Sequence, residues 1–167
     1  MSVAEHRAHS PASVACFVLT VSDTRTLETE TSGRAIADLL TTAGHTVVDR
    51  QVVKDDPADV ERAIRDELAR GRARAIITTG GTGIAKRDST YEAVTALFEK
   101  RLDGFGELFR MLSFQEIGSA AMLSRATAGI ASGCVIFMLP GSEAAVRLGM
   151  TRLIMPELGH IVRELSK

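Results

Sequence analysis

"ARAIITTGGTGIAKRDSTYEA", Ala73 to Ala93, holds the junction on which the fold turns. Its first seven residues are short, apolar and rich in isoleucine and threonine, the pattern of a buried strand. Gly80, Gly81 and Gly83, with Thr82 between them, then put bare backbone where the strand gives way to a loop. Lys86, Arg87 and Asp88 follow, and a helical spacing of Tyr91, Val94 and Leu97/Phe98 begins. A strand, a glycine loop and a helix in that order mark one unit of an α/β sheet.

Working outward, the same alternation recurs. "VACFVLTVSD" (14–23) is a continuous apolar run, as expected of a strand buried on both faces. "DTRTLETETSG" is too polar for either element. Ile36, Leu39, Leu40 and Ala43 then mark one helix face that Gly44 stops. "HTVVDRQVV" reads as a second strand. Asp56-Pro57 caps a helix with the stripe Val60, Ala63, Ile64 and Leu68, ended by Gly71. Beyond the glycine loop, Phe105, Leu108, Phe109 and Leu112 predict a further helix. "SRATAGIASGCVIFMLPG" predicts a hairpin turning at Ala131 to Gly133. Ala145, Val146 and Leu148, then Ile154, Leu158, Ile161, Val162 and Leu165, predict terminal helices that Pro156 breaks or restarts. The β-α-β-α-β order implies a largely parallel sheet covered on both sides. Residues 1–13 read as a flexible leader and 14–167 as a single domain.

Composition narrows the function. The 167-residue chain is 45% hydrophobic and 25% charged, with a formal net charge of −1, so nothing overall favours nucleic acid or a membrane surface. No apolar stretch reaches the roughly 20 residues of a bilayer span, and a cytoplasmic protein is expected. Cys16 and Cys134 sit in apolar runs and read as buried core thiols. His6, His9, His45 and His160 are scattered, which argues against a metal site built on them.

The glycine loop admits two readings, a tight turn or a cradle of N–H groups for phosphate or carboxylate oxygens. Neither the Walker loop nor the dinucleotide fingerprint is present: Lys86 is flanked by Ala85 and Arg87, and the third fingerprint glycine falls on Lys86. Ser89 and Glu92 match a capping box, with Thr90 as the other possible cap, which leaves the Asp88 carboxylate to face the loop. Asp55 is likewise unexplained by capping, since Asp56 does that work. Both acids are expected at the carboxyl ends of neighbouring strands, as solvated surface groups or as ligands of a hard cation such as Mg²⁺ between them and a phosphate. Ser22 and Asp23 follow the first strand, and Pro140, Gly141 and Ser142 the last. In open α/β sheets that edge is where ligands bind.

In family order, "LTVSDTRTLETETSG", "VVKDD", "IITTGGTGIAKRDSTYEA", "DGFGELFR", "MLSRATAG" and "FMLPGSEAAV" resemble the MoaB/Mog family of molybdenum-cofactor biosynthesis proteins. The first loop is more similar to the MoaB branch. The resemblance implies a three-layer α/β/α sandwich with a mainly parallel central sheet and one antiparallel strand, assembled as a homotrimer or hexamer. It implies Mg²⁺-dependent transfer of AMP from ATP to the terminal phosphate of molybdopterin, whose product a molybdenum-inserting protein uses. By position, Asp55 and Asp88 would organise Mg²⁺ and the reacting phosphates. Gly80, Gly81, Thr82 and Gly83 would hold phosphate, and Ser22, Asp23, Pro140, Gly141 and Ser142 would line the nucleotide end. Ser124 and Arg125 would lie near the pterin. Tyr91 stands where the family often has proline. A non-catalytic molybdopterin-binding or scaffolding oligomer is the alternative, and an unrelated nucleotide-binding domain a third reading.

Overall fold

Strand β1 (Ala15–Val21) sends Cys16 and Val18 into one apolar cluster and Phe17, Leu19 and Val21 into another. It is therefore an inner strand, with a core on each side. A computed structural model describes residues 2–167 and shows β1 flanked in parallel by β2 (Thr46–Val53) and β3 (Ala75–Thr79). Next to β3 lies β6 (Cys134–Leu139), also parallel; β5 (Thr127–Ala131) runs antiparallel to it. The two-residue β4 (Lys100–Arg101) closes the edge, giving the order β2-β1-β3-β6-β5-β4. The expected single antiparallel strand is β5. β4 is too short and too charged to carry any periodic signal.

Helices α2 (Ser32–Thr42), α5 (Asp103–Ile117), α6 (Glu143–Gly149) and α7 (Met155–Leu165) cover one face through Ile36, Phe109, Val146 and Leu158. Helices α3 (Pro57–Arg70) and α4 (Thr90–Thr95) cover the other through Val60, Ile64 and Val94. Each such side chain stabilises the fold by roughly 1.5–3 kcal/mol on full burial. The three-layer α/β/α sandwich is thus observed. The Asp56 carboxylate caps α3 by accepting from Ala58 N (2.9 Å) and Asp59 N (3.2 Å), and Gly71 ends the helix at φ +64°.

Several local expectations are corrected. Leu108 is 48% exposed and Ala43 is also exposed, because each helix packs a narrower stripe than its apolar residues suggest. A π-helical stretch, Met150–Ile154, joins α6 to α7, so the chain stays helical into the first turn of α7, and the wider π turn lies just before Pro156, whose missing N–H interrupts the ladder. Where a loose leader is expected, Val3–Ala8 forms helix α1, capped by Ser2 and tied to α7 by Arg7–Glu157 and His6–Glu164. Both cysteines are free and buried, and burial pushes each thiol up to about 12. Among the described residues no helix is long and apolar enough to cross a membrane.

Candidate functional site

The chain moves from β1 outward to β2, then back across to β3 on the other side of β1. That reversal opens a crevice at the carboxyl ends of the strands. Four parallel strands end there: β1 delivers Ser22 and Asp23, β2 delivers Asp55, β3 the glycine loop, and β6 Pro140 to Ser142. Asp55 and the glycine loop are therefore not products of neighbouring strands, as the sequence suggests. β1 lies between them, and the loop after β3 reaches across its end.

Two glycines have a definite steric cause. Gly80, at φ +94°, passes so close to the Val21 carbonyl that no Cβ fits. Gly81, at φ +69°, lies against the Thr90 hydroxyl, and a Cβ there would also stand 3.2 Å from Asp55 Oδ1. Asp88 packs in the same way against Gly83, where a Cβ would meet Oδ2 at 2.5 Å. Both predicted acids thus press on the loop. Asp55 accepts from the Thr90 hydroxyl (3.0 Å), while its own N–H donates to Asp23 Oδ1 (3.2 Å). Partial burial raises the Asp55 pKa against the Thr90 hydrogen bond, with the Asp88 and Asp23 charges raising it further. Asp88 Oδ2 accepts from Ala85 N (2.9 Å), and Asp23 pairs with Arg87.

The capping box does not form. Ser89 occupies the cap position without a side-chain bond, Thr90 bonds to Asp55, and Glu92 pairs with Arg125. Tertiary partners have taken Thr90 and Glu92. Arg125 brackets the loop, donating to the carbonyls of Thr82 (3.1 Å), Gly83 (2.6 Å) and Asp88 (3.2 Å) while stacking 4.7 Å from the Tyr91 ring. Tyr91, at the expected proline position, also accepts from Arg101 (2.9 Å).

Three cavities surround these groups. One of about 420 Å³ is lined by Ser22, Arg25, Ser32, Thr79, Gly141 and Ser142. A second, of about 330 Å³, brings Gly80, Gly81, Thr82 and Gly83 together with Ser124, Pro140, Gly141 and Ser142. The two meet at Gly141, whose backbone packs on Gly80. A third, of about 490 Å³, lies beyond Arg125 and includes Ser124, Tyr91 and Arg110. Asp23, Asp55 and Asp88 line none of the three; they sit beside the loop instead.

Sequence reasoning missed Glu30. It is 2% exposed, accepts from Gly33 N (2.6 Å) and pairs with Arg50, closing the floor of the first cavity. Nearby, the buried Thr20 hydroxyl has no protein partner. Composition alone does not separate Glu30 from exposed Glu28; the bond from Gly33 N and the pairing with Arg50 do. The histidine reading is also revised, because the fold brings His6 and His160 to within 5.4 Å of each other.

The donors beside the loop suit a hard cation. Asp55 and Asp88 offer carboxylate oxygens alone, and among the described residues they belong to no group of three close ligands. Two acids with the remaining positions left to water and phosphate is the habit of Mg²⁺.

Residues 17–160 match the family described as "Probable molybdopterin binding domain". The "Molybdenum cofactor biosynthesis protein B" of Halalkalibacterium halodurans is 52% identical over 168 aligned positions, covering 100% of this chain and 99% of that one. The Bacillus subtilis protein of the same name is 50% identical with the same coverage. A crystal structure of a molybdenum cofactor biosynthesis protein B superposes at TM-score 0.91 with 50% identity over 95% of this chain and 99% of that one. The Pyrococcus furiosus tungsten cofactor synthesizing protein MoaB superposes at 0.85, with 38% identity over 95% of this chain and all of that one. With its strand order, its glycine loop and these relatives in agreement, the chain belongs to the MoaB/Mog family of molybdenum-cofactor biosynthesis proteins.

Proposed function

We propose that this member of the molybdenum-cofactor pathway transfers AMP from ATP to the terminal phosphate of molybdopterin. The observation that carries the reading is the placement of Asp55 and Asp88 against Gly81 and Gly83, at the edge where four strands end. An oxygen of the pterin phosphate forms a bond to the α-phosphorus of ATP as the α–β bridging bond breaks, and pyrophosphate leaves. Asp55 and Asp88 would hold Mg²⁺, which when bound neutralises phosphate charge.

The chain's own part is positioning. The N–H groups of Gly81, Thr82 and Gly83 would meet incoming anionic oxygens, whereas the Gly80 N–H is already given to the Leu139 carbonyl (3.1 Å), and Arg125 holds the Thr82 and Gly83 carbonyls. The cavity containing Ser22 and Ser142 takes the nucleotide, and the one containing Ser124 takes the pterin. Two ligands held in line remove much of the entropic barrier to reaction. Burial first, and then the Asp88 and Asp23 charges, raise the Asp55 pKa, and a cation at the loop would offset both. The test is pyrophosphate release from purified protein given molybdopterin and MgATP. Release that needs the pterin and stops with chelator supports the reading; its absence despite pterin binding overturns it.

The second reading, a non-catalytic molybdopterin-binding scaffold, has its own support. Asp55 and Asp88 are both hydrogen-bonded within the fold and line none of the cavities. Either reading suits an oligomer. Leu108, Met111, Phe114 and Ile117 form an exposed stripe on α5 at three-residue spacing, and Met122 and Leu123 extend it. A patch of that kind marks an interaction surface. A homotrimer or hexamer buries it, and Phe114→Asp should lower the mass measured by light scattering.

A further inference from the structure

We propose that His6, His160 and Glu164 form a site for a divalent transition metal of the zinc class, which pins α1 to α7. Their ligand atoms all lie within 4.8 Å of one another. His6 Nδ1 is 3.0 Å and His160 Nε2 3.9 Å from Glu164 Oε1. Ligands of a tetrahedral zinc ion stand roughly 3.3 Å apart, given metal–ligand bonds of about 2.0–2.1 Å. The two separations bracket that value, so small side-chain rotations suffice.

Two independent features prepare the cluster. Glu157 Oε2 lies 2.9 Å from His160 Nδ1. When Nδ1 carries the proton, the Nε2 lone pair is left on the Glu164 side, the arrangement that orients metal-bound histidines. Glu164 and His160 are also four residues apart on one helix, so both project from the same face of α7. The third ligand arrives because residues 10–11 run close over Gly159, where a Cβ would meet the Pro11 carbonyl at 2.9 Å. His6 and Lys167 both reach the Glu164 carboxylate in the metal-free structure. Lys167 Nζ, 2.7 Å from both Glu164 oxygens and exposed, is the group a metal displaces, and Arg163 Nη1 stands 3.7 Å from Oε1.

Two imidazoles and one carboxylate favour Zn²⁺, Co²⁺ or Ni²⁺ over Mg²⁺. The site is chemically unlike the all-carboxylate donors beside the glycine loop. Its occupant would stabilise the docked state of α1, since α1 supplies one ligand and α7 the others.

The experiment uses untagged full-length protein stripped with chelator. It is titrated with Co²⁺ followed by visible absorption, and with Zn²⁺ in competition against a chromogenic chelator. The expected result is one ion per chain, unaffected by excess Mg²⁺, with amide exchange in residues 3–8 slowed on binding. His160→Ala should abolish binding, and Glu157→Gln should weaken it by about 10- to 100-fold. His6→Ala removes a half-buried side chain that also ties α1 to α7, so its melting temperature in metal-free buffer is measured beside binding, and binding should fall while the global fold is kept. His9→Ala and His45→Ala should bind as the parent does. No binding, or binding unchanged in His6→Ala and His160→Ala, overturns the proposal.

Discussion

Glu30 and Asp55 end two loops at the same edge of the same sheet, and the fold treats them in opposite ways. Glu30 is almost wholly buried, yet it has a main-chain N–H from Gly33 and a guanidinium from Arg50. The Asp55 carboxylate is less buried and takes a hydrogen bond from the Thr90 hydroxyl, with Asp88 and Asp23 adding negative charge nearby and Arg87 opposing them. A buried acid with its counter-charge in place serves the fold. An acid left beside like charges is the kind a ligand bringing positive charge would satisfy, and under the proposed function Asp55 is that acid.

Exchanging each acid for a neutral residue tests that contrast. Asp55→Asn or Asp88→Asn should lower pyrophosphate release by about 100- to 1,000-fold, or about 3–4 kcal/mol in the barrier. Neither should cost the fold in urea unfolding, and equal turnover in parent and variants would remove both acids from the mechanism. Glu30→Ala should do the reverse. It takes the counter-charge from Arg50 and the acceptor from Gly33 N, at about 3 kcal/mol of stability, measured by the same unfolding curves. A stable Glu30→Ala chain with lost turnover would erase the distinction drawn above.

Smaller effects sharpen it. Gly81→Ala forces an L side chain into φ +69° against Thr90, at about 1–3 kcal/mol. It should also part Thr90 from Asp55, seen as a change in the pH dependence of stability. The sign follows from the raised Asp55 pKa. The folded state holds the proton more tightly than the unfolded one, so Asp55 favours folding most below its ordinary value of 3.8. That contribution is lost as pH rises through the folded pKa. Asp55→Asn should therefore gain stability relative to the parent across that window and converge with it at lower pH. A gap that widens toward acid would contradict the direction.

The glycine loop, the Asp56 cap, the Gly71 stop and the hairpin at Ser132-Gly133 were legible because each depends on a few adjacent residues. Buried strands such as β1 were legible because residues apolar on both faces leave no other environment for them. Glu30, Arg125 and the capping box were not. Each was decided by a partner 20 or more residues away: Arg50 for Glu30, the Thr82 and Gly83 carbonyls for Arg125, and Asp55 for Thr90. His6 and His160 are the extreme case, at opposite ends of the chain and in contact only because α1 lies on α7.

Alone, then, the sequence determined the α/β alternation, the places where strands end, and the residue types collected at those ends. Periodicity and turn chemistry are local, and they act before any long-range contact exists. Only the tertiary structure decided that β1 separates Asp55 from the loop it serves, and which acids received counter-charges. Electrostatic partnership depends on distance in space, and the chain sets that distance only when its sheet has closed.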